Sequence, residues 1–367
     1  MELTKDNVLK ALSEVIDPDL KKDLVSLNMI QNVVISEKKL SFDLVLTTPA
    51  CPLKNFLKES CENAIYKNIS KDIEISINIT SKVTGKEREN DLKNLSKVKN
   101  IIAVVSGKGG VGKSTVAANL AVGLAMQGAK VGLMDADIYG PSIPIMLGLE
   151  GKAPTVTEQG EGQLIEPVMA FGVKVISIGF FVSPEASLMW RGPLASAYLK
   201  QMVTDTNWGE LDYLIFDMPP GTGDIHLTLV QTVPVTGAVI VSTPQKIALA
   251  DATKAVSMFA DNKVNVPILG MVENMAYFET EDLPGKKYYL FGKEGTKKLA
   301  ESMKVSLLGE IPLVEDICVS GDKGTPAVMG KNPIVSNAFL DFCQKTAQAV
   351  SIRNEFGDPT HIVEMTS

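Results

Sequence analysis

The chain has 367 residues, enough for two or three domains. Its apolar content of 45% supplies a large core, and a formal net charge of −7 argues against nucleic acid as the main partner. The opening MELTKDNVLKALSEVID lacks a basic flank followed by an apolar core, and no apolar run reaches the ~20 residues of a spanning helix. These features predict a cytoplasmic protein, with no nucleic acid and no membrane among its partners.

Residues 1–83 form the first unit. Val8 to Val15 has helical spacing, Asn32–Ile35 and Leu40–Leu46 suit a hairpin around Glu37-Lys38-Lys39, Pro52 to Tyr66 is helical, and Ile73–Ile79 alternates like a strand. That order predicts a small α+β domain. Residues 84–99, dense in charge and poor in large apolar groups, read as a linker.

Residues 100–352 alternate strand and helix. Strands are predicted at 101–106, 130–134, 173–178, 213–217, 237–243, 268–273 and 306–309, with helices beginning near Lys113, Pro193, Asp224, Ile247 and Gly295. The strands are short, β-branched and not alternating, so both sheet faces are covered. The expected fold is α/β, a mostly parallel sheet with helices on both faces. Residues 353–367 are polar and Pro-broken, and read as a tail.

The chemistry concentrates at the end of the first of these strands. Ile101–Val105 leads into Gly107-x4-Gly112-Lys113-Ser114 and then a helical pattern, a P-loop in its required strand–turn–helix setting. Its cradle would be lined by Gly107, Lys108, Gly109, Gly110, Val111, Gly112, Lys113, Ser114 and Thr115. Glycines let backbone amides close on a polyphosphate, Lys113 neutralises the β- and γ-phosphates, and Ser114 offers a hydroxyl to Mg²⁺.

A second strand ends in Asp217, placed to hold the Mg²⁺ shell. The Pro219-Pro220-Gly221-Thr222-Gly223 loop after it suits a γ-phosphate sensor, and Asp224 suits the N-cap of the next helix. A third strand, expected beside the P-loop strand, ends in Asp135-Ala136-Asp137. Asp137 is assigned to the attacking water and Asp135 to the metal shell.

Together KGGVGKST, the Asp-x-Asp pair and DMPPGTGD resemble the deviant-Walker P-loop ATPases of the MinD and ParA class. The resemblance implies a nucleotide-sandwich homodimer in which Lys108 reaches the partner's phosphates, much as an arginine finger does. SIGF at 177–180, Trp190-Arg191-Gly192-Pro193, VSTPQ at 241–245, VENM at 272–275 and GDKGTP at 321–326 narrow it to the Mrp/ApbC iron–sulfur cluster carriers. DPDLKKDLVSLNMI at 17–30 and TTPACPL at 47–53 are similar to the small iron–sulfur assembly domain fused to such proteins.

What this resemblance implies is slow, switch-like ATP hydrolysis that delivers clusters to apo client proteins, with Asn274 contacting the adenine. Trp190 and Arg191 form a family interface or switch, or else are a packed Trp with a satisfied Arg. The carriers' usual C-x-x-C after VENM is absent. Its cysteines would fall near Thr280 and Pro284, among Glu279, Glu281 and Asp282, which are hard donors unsuited to a cluster.

Of Cys51, Cys61, Cys318 and Cys343, Cys51 in TTPACPL is the expected cluster ligand, its pKa lowered by the following helix. Cys61 and Cys343 read as packing, and Cys318 as core or chance. The alternatives are a nucleotide-locked dimeric adaptor without a cluster, and a MinD/ParA-like positioning ATPase.

Overall fold

The computed structural model describes residues 2–86, 92–159, 162–182, 192–280, 282–283 and 285–363. Two compact units emerge, Met1–Thr84 with Ser351–Gly357, and Gly85–Val350 with Asp358–Ser367.

In the first unit α1 (Lys5–Leu12) precedes β1 (Ile30–Ser36), β2 (Lys39–Leu46), α2 (Lys54–Asn68) and β3 (Glu74–Ser81). Thr4 caps α1, its hydroxyl accepting the Asn7 N–H at 3.3 Å. The β1–β2 hairpin is antiparallel and turns through Glu37 at φ 51°. β2 and β3 are parallel because α2 supplies the crossover. Alternate residues of β2, Leu40, Phe42, Leu44 and Leu46, face the helices and join Leu12, Leu57 and Ile65 in the core.

The second unit runs β4 (Val98–Val105), α3 (Lys113–Met126), β5 (Val131–Asp135), α4 (Ile143–Met146), β6 (Thr155–Gln159), β7 (Gly162–Glu166), β8 (Val168–Ala170) and β9 (Val173–Ser177). It continues with α5 (Gly192–Asp205), β10 (Leu211–Asp217), α6 (Asp224–Thr232), β11 (Gly237–Ser242), α7 (Lys246–Ala260), β12 (Ile268–Glu273), α8 (Gly295–Met303), β13 (Leu307–Glu310) and α9 (Glu315–Asp322). The long α10 (Pro333–Phe356) follows.

An eight-stranded sheet has the order β13-β12-β11-β4-β10-β5-β9-β8 and is parallel except at the β8–β9 edge. β10 and β11 are buried throughout, as strands covered on both faces are. The expectation that the strand ending in Asp135 lies beside the P-loop strand is not met. β10 sits between β4 and β5 and pairs with both. A helical crossover such as α3 is long enough to skip a strand, and hydrophobic patterning carries no information on neighbour order.

The consequence is functional. Asp217 is in register with Asp135 on one side and Val104 on the other, so two carboxylates end side by side next to the P-loop. Among the described residues no helix is long and apolar enough to cross a membrane.

Candidate functional site

β4 delivers the chain into the glycine loop, and α3 begins at Lys113, so the loop's amides run directly into a helix N-terminus. Gly112 is left-handed at φ 80°, and a Cβ there would run into the Asn274 amide. A Cβ on Gly107 would run into the main chain of Asp251 in α7. Gly109 and Gly110 are exposed, and a Cβ on either would meet nothing within 4 Å. The loop is therefore clamped at its two ends and open at its crown, where phosphate oxygens would lie.

Cross-ties hold the loops around it. Ser106 donates its hydroxyl to the Lys108 carbonyl at 2.9 Å, and the Gly221 N–H donates to the Ser106 carbonyl at 2.9 Å. Asn274 donates its side-chain N–H to the Val111 carbonyl at 2.8 Å, and its backbone N–H donates to Ser242 at 2.8 Å. It thereby fastens the end of β12 to the P-loop.

Lys113 is the electrostatic centre. Its amine donates to Asp217 Oδ1 at 2.5 Å and Ser114 Oγ at 3.1 Å, and pairs with Asp137 Oδ2 at 3.8 Å. Asp135 is fully buried. Its Oδ1 accepts the Asp137 N–H at 3.2 Å, while Oδ2 accepts the Ile143 N–H at 3.3 Å and the Ser177 hydroxyl at 3.0 Å.

Burial, then the charge of Asp217, pushes Asp135 up to about 8. Burial likewise raises Asp217 and Asp137, with the Lys113 charge opposing it in both. Two carboxylates thus share one amine with a third, Asp135, beside them, and Asp217 Oδ2 is buried without a hydrogen-bond partner. An orphaned buried carboxylate oxygen beside the Ser114 hydroxyl suits a hydrated divalent cation with oxygen ligands, so the residues fit Mg²⁺. Lys108 is half-buried and takes no part in the ion pairs around Lys113.

Sequence reasoning missed Ser177, Asp251 and His226 at this site. Ser177 stood in the SIGF motif, but its bond to Asp135 crosses from β9 to β5. The packing of Asp251 on Gly107 had no local signal.

In the first unit Cys51 is half-buried just ahead of α2. Burial pushes its thiol up to about 11; the Leu53 N–H pulls the other way, and the charges of Asp17 and Asp19 add to the rise. The expected lowering by the helix N-terminus is overturned, because desolvation outweighs one backbone N–H. Cys61 and Cys343 are buried, and Cys318 is exposed. Among the described residues no three His, Cys, Asp or Glu side chains are grouped to hold a metal.

The segment after VENM closes as a bridge between Phe278 and Tyr288, and Glu279 Oε1 accepts the Gly285 N–H at 2.6 Å. Expectations on Trp190, Arg191, Glu281 and Pro284 lie outside the described residues, whereas α6 starts at Asp224 with Gly223 in the N-cap position, so Asp224 is the first helical residue and not the cap.

The chain resembles known proteins over both units. The profile of the NUBPL iron-transfer P-loop NTPases matches residues 97–347, and that of the iron–sulfur cluster assembly proteins matches 5–77. An iron-sulfur cluster carrier protein of Synechocystis is 50% identical over 329 residues, 90% of this chain and 92% of its own length. That of Escherichia coli is 45% identical over 314 residues, 86% of this chain and 83% of its own. Among solved structures, a nucleotide-binding protein from Archaeoglobus fulgidus in complex with ADP has 44% identity and a TM-score of 0.55, covering 63% of this chain and 89% of that one. The cell division ATPase MinD of Pyrococcus furiosus, at 23% identity and a TM-score of 0.50 over 67% of this chain and 97% of its own, shares the fold.

Proposed function

The chain belongs to the NUBPL-type iron-transfer P-loop NTPases, and from that premise we propose that it is a homodimeric ATPase that carries iron–sulfur clusters to apoproteins. The observation that carries the nucleotide half is the buried Lys113–Asp217 pair with Asp135 in register behind it. Mg²⁺, held by Ser114 and Asp217 with Asp135 behind them, would neutralise charge on the β- and γ-phosphates. Lys113 exchanges its carboxylate partner for phosphate oxygens, and Asp137 orients the attacking water. Asn274 adds an adenine contact, and Lys108 reaches across the dimer to the partner's phosphates. Loss of the γ-phosphate contacts frees the loops at 135–142 and 219–223, so hydrolysis acts as a slow switch.

The cluster is cargo. With no cysteine in 276–294, Cys51 is the ligand we assign, completed by the second subunit or by the client. Its raised thiol means that iron has to displace a proton to be bound. We place the protein in the cytoplasm, with the first 83 residues as the module that meets the cluster and its clients, and with no nucleic-acid or membrane partner.

Anaerobic reconstitution with iron and sulfide counting, on wild type and Cys51→Ser, with and without an apo client, tests the assignment. Cluster bound by wild type and lost in Cys51→Ser supports it. No cluster under any of these conditions leaves the second reading, a nucleotide-locked adaptor, which the missing C-x-x-C and the protonated Cys51 favour. Dimerisation induced by a slowly hydrolysed ATP analogue tests the sandwich in both readings.

A further inference from the structure

A buried histidine lies against the 219–223 loop, and the mechanism above does not use it. His226 stands in the first turn of α6 with its side chain 1% exposed. Neither ring nitrogen has a hydrogen-bond partner. Yet the carbonyls of Gly223 and Pro219, the two ends of the loop, lie close enough to favour its protonated form without completing a hydrogen bond. The ring also meets Phe259 of α7 edge-on, with centroids 6.3 Å apart and planes at 73°.

The loop between those carbonyls carries two glycines and is largely open to solvent. Gly221 sits at φ 93°, while Thr222 and Gly223 are exposed. Its Gly221 N–H is tied to the P-loop through Ser106, and its Gly223 carbonyl accepts the backbone N–H of His226 at 3.0 Å. A buried donor left unpaired is costly, and a group of that kind beside a glycine-containing phosphate loop points to a contact made in another arrangement of that loop.

We infer that His226 is a positioning residue that latches the 219–223 loop. When the loop closes on the terminal phosphate, the neutral imidazole donates its N–H to the Pro219 carbonyl, the one that its own backbone does not already hold. The loop amides are then kept aimed at the phosphate, and Phe259 backs the ring from the core. The inference rests on the ATPase reading.

The test uses the full chain with His226→Phe, which keeps a ring against Phe259 and loses the donor, and His226→Gln, which keeps a donor. ATP turnover is measured beside hydrogen exchange of the Gly221, Thr222 and Gly223 amides with ADP and with a non-hydrolysable ATP analogue. His226→Phe is expected to lower kcat roughly tenfold with the KM for ATP within about twofold of wild type. It also loses the protection that the analogue gives the loop. His226→Gln recovers most of both.

Wild-type kcat and protection in His226→Phe would overturn the latch, as would equal impairment of the two variants. If wild type binds ATP without turning it over, the ATPase reading fails, while the exchange comparison still decides the latch. A wild type that binds no nucleotide sinks both.

Discussion

Lys113 and Asp217 form a 2.5 Å ion pair in which the amine is 6% and the carboxylate 0% exposed. The residue expected to grip phosphate is thus held by the residue expected to hold magnesium, and Asp135 stands in register behind. Lys113→Ala leaves Asp217 and Asp135 buried without the amine. It is expected to cost about 3 kcal/mol of stability near neutral pH. The double variant Lys113→Ala/Asp217→Asn recovers much of that loss, because the stranded charge has gone. Urea unfolding without nucleotide measures the stabilities, and titration calorimetry should find no ATP binding in either variant. Equal stability of the single and double variants would show that the pair is not what holds these loops.

The two ends and the crown of the glycine loop respond differently to a methyl group. Gly107→Ala forces a Cβ into the backbone of Asp251, which cannot rotate away as a side chain can. It is expected to destabilise by roughly 2 kcal/mol and to weaken ATP binding together with stability. Gly109→Ala has open space and is expected to leave the melting curve within about 0.5 kcal/mol of wild type. Any loss of ATP affinity in Gly109→Ala then reports crowding at the phosphate itself. Paired melts and nucleotide titrations separate the two, and a fully stable Gly107→Ala would contradict the packing.

The four thiols should react in order of access and ionisation. Cys318 is exposed on α9, Cys51 is half-buried and its thiol is pushed up to about 11, and Cys61 and Cys343 are buried. At pH 7.5 iodoacetamide is expected to label Cys318 first, Cys51 at least tenfold more slowly, and the other two only after unfolding. Mass spectrometry of timed samples reads the order. Fast labelling of Cys51 would mean that its thiolate is stabilised after all, and would strengthen its claim as a ligand in the absence of iron.

What could be read from the sequence is what local pattern encodes. The unbroken apolar runs of β4, β10 and β11 announced a sheet covered on both faces, and the glycine spacing between Ser106 and Lys113 announced the turn. The placement of β10 between β4 and β5 was not legible, because it depends on how far α3 carries the chain. The β6–β7 pair was missed for a different reason. Its described side chains on β6 are exposed, including Val156 at 44%, so burial imposes no alternation there. At the site, the Ser177–Asp135 bond and the packing of Gly107 on Asp251 join residues 42 and 144 positions apart, beyond any motif. Cys51 was misjudged because the sequence offers the helix after it and hides the burial around it.

The histidine beside the 219–223 loop gives the stability curve a recognisable shape. Burial drives His226 from its ordinary 6.5 down to about 4, the Lys113 charge pushes the same way, and the carbonyls of Gly223 and Pro219 resist. Between those two values the unfolded chain binds a proton at this position and the folded chain does not. Stability from this group is therefore fully present above pH 6.5 and is lost as pH falls toward 4. The full change is roughly 3 kcal/mol. His226→Phe has no such proton to bind in either state, so the two curves should run parallel above pH 7 and the wild-type curve should drop relative to the variant's below 6. Urea unfolding of both proteins at half-unit steps from pH 4 to 8 gives the difference directly, with all other titrating groups common to the two. A constant difference across the whole range would mean that the imidazole takes up its proton as readily in the folded protein as in the unfolded chain, and that the core around Phe259 does not keep it neutral.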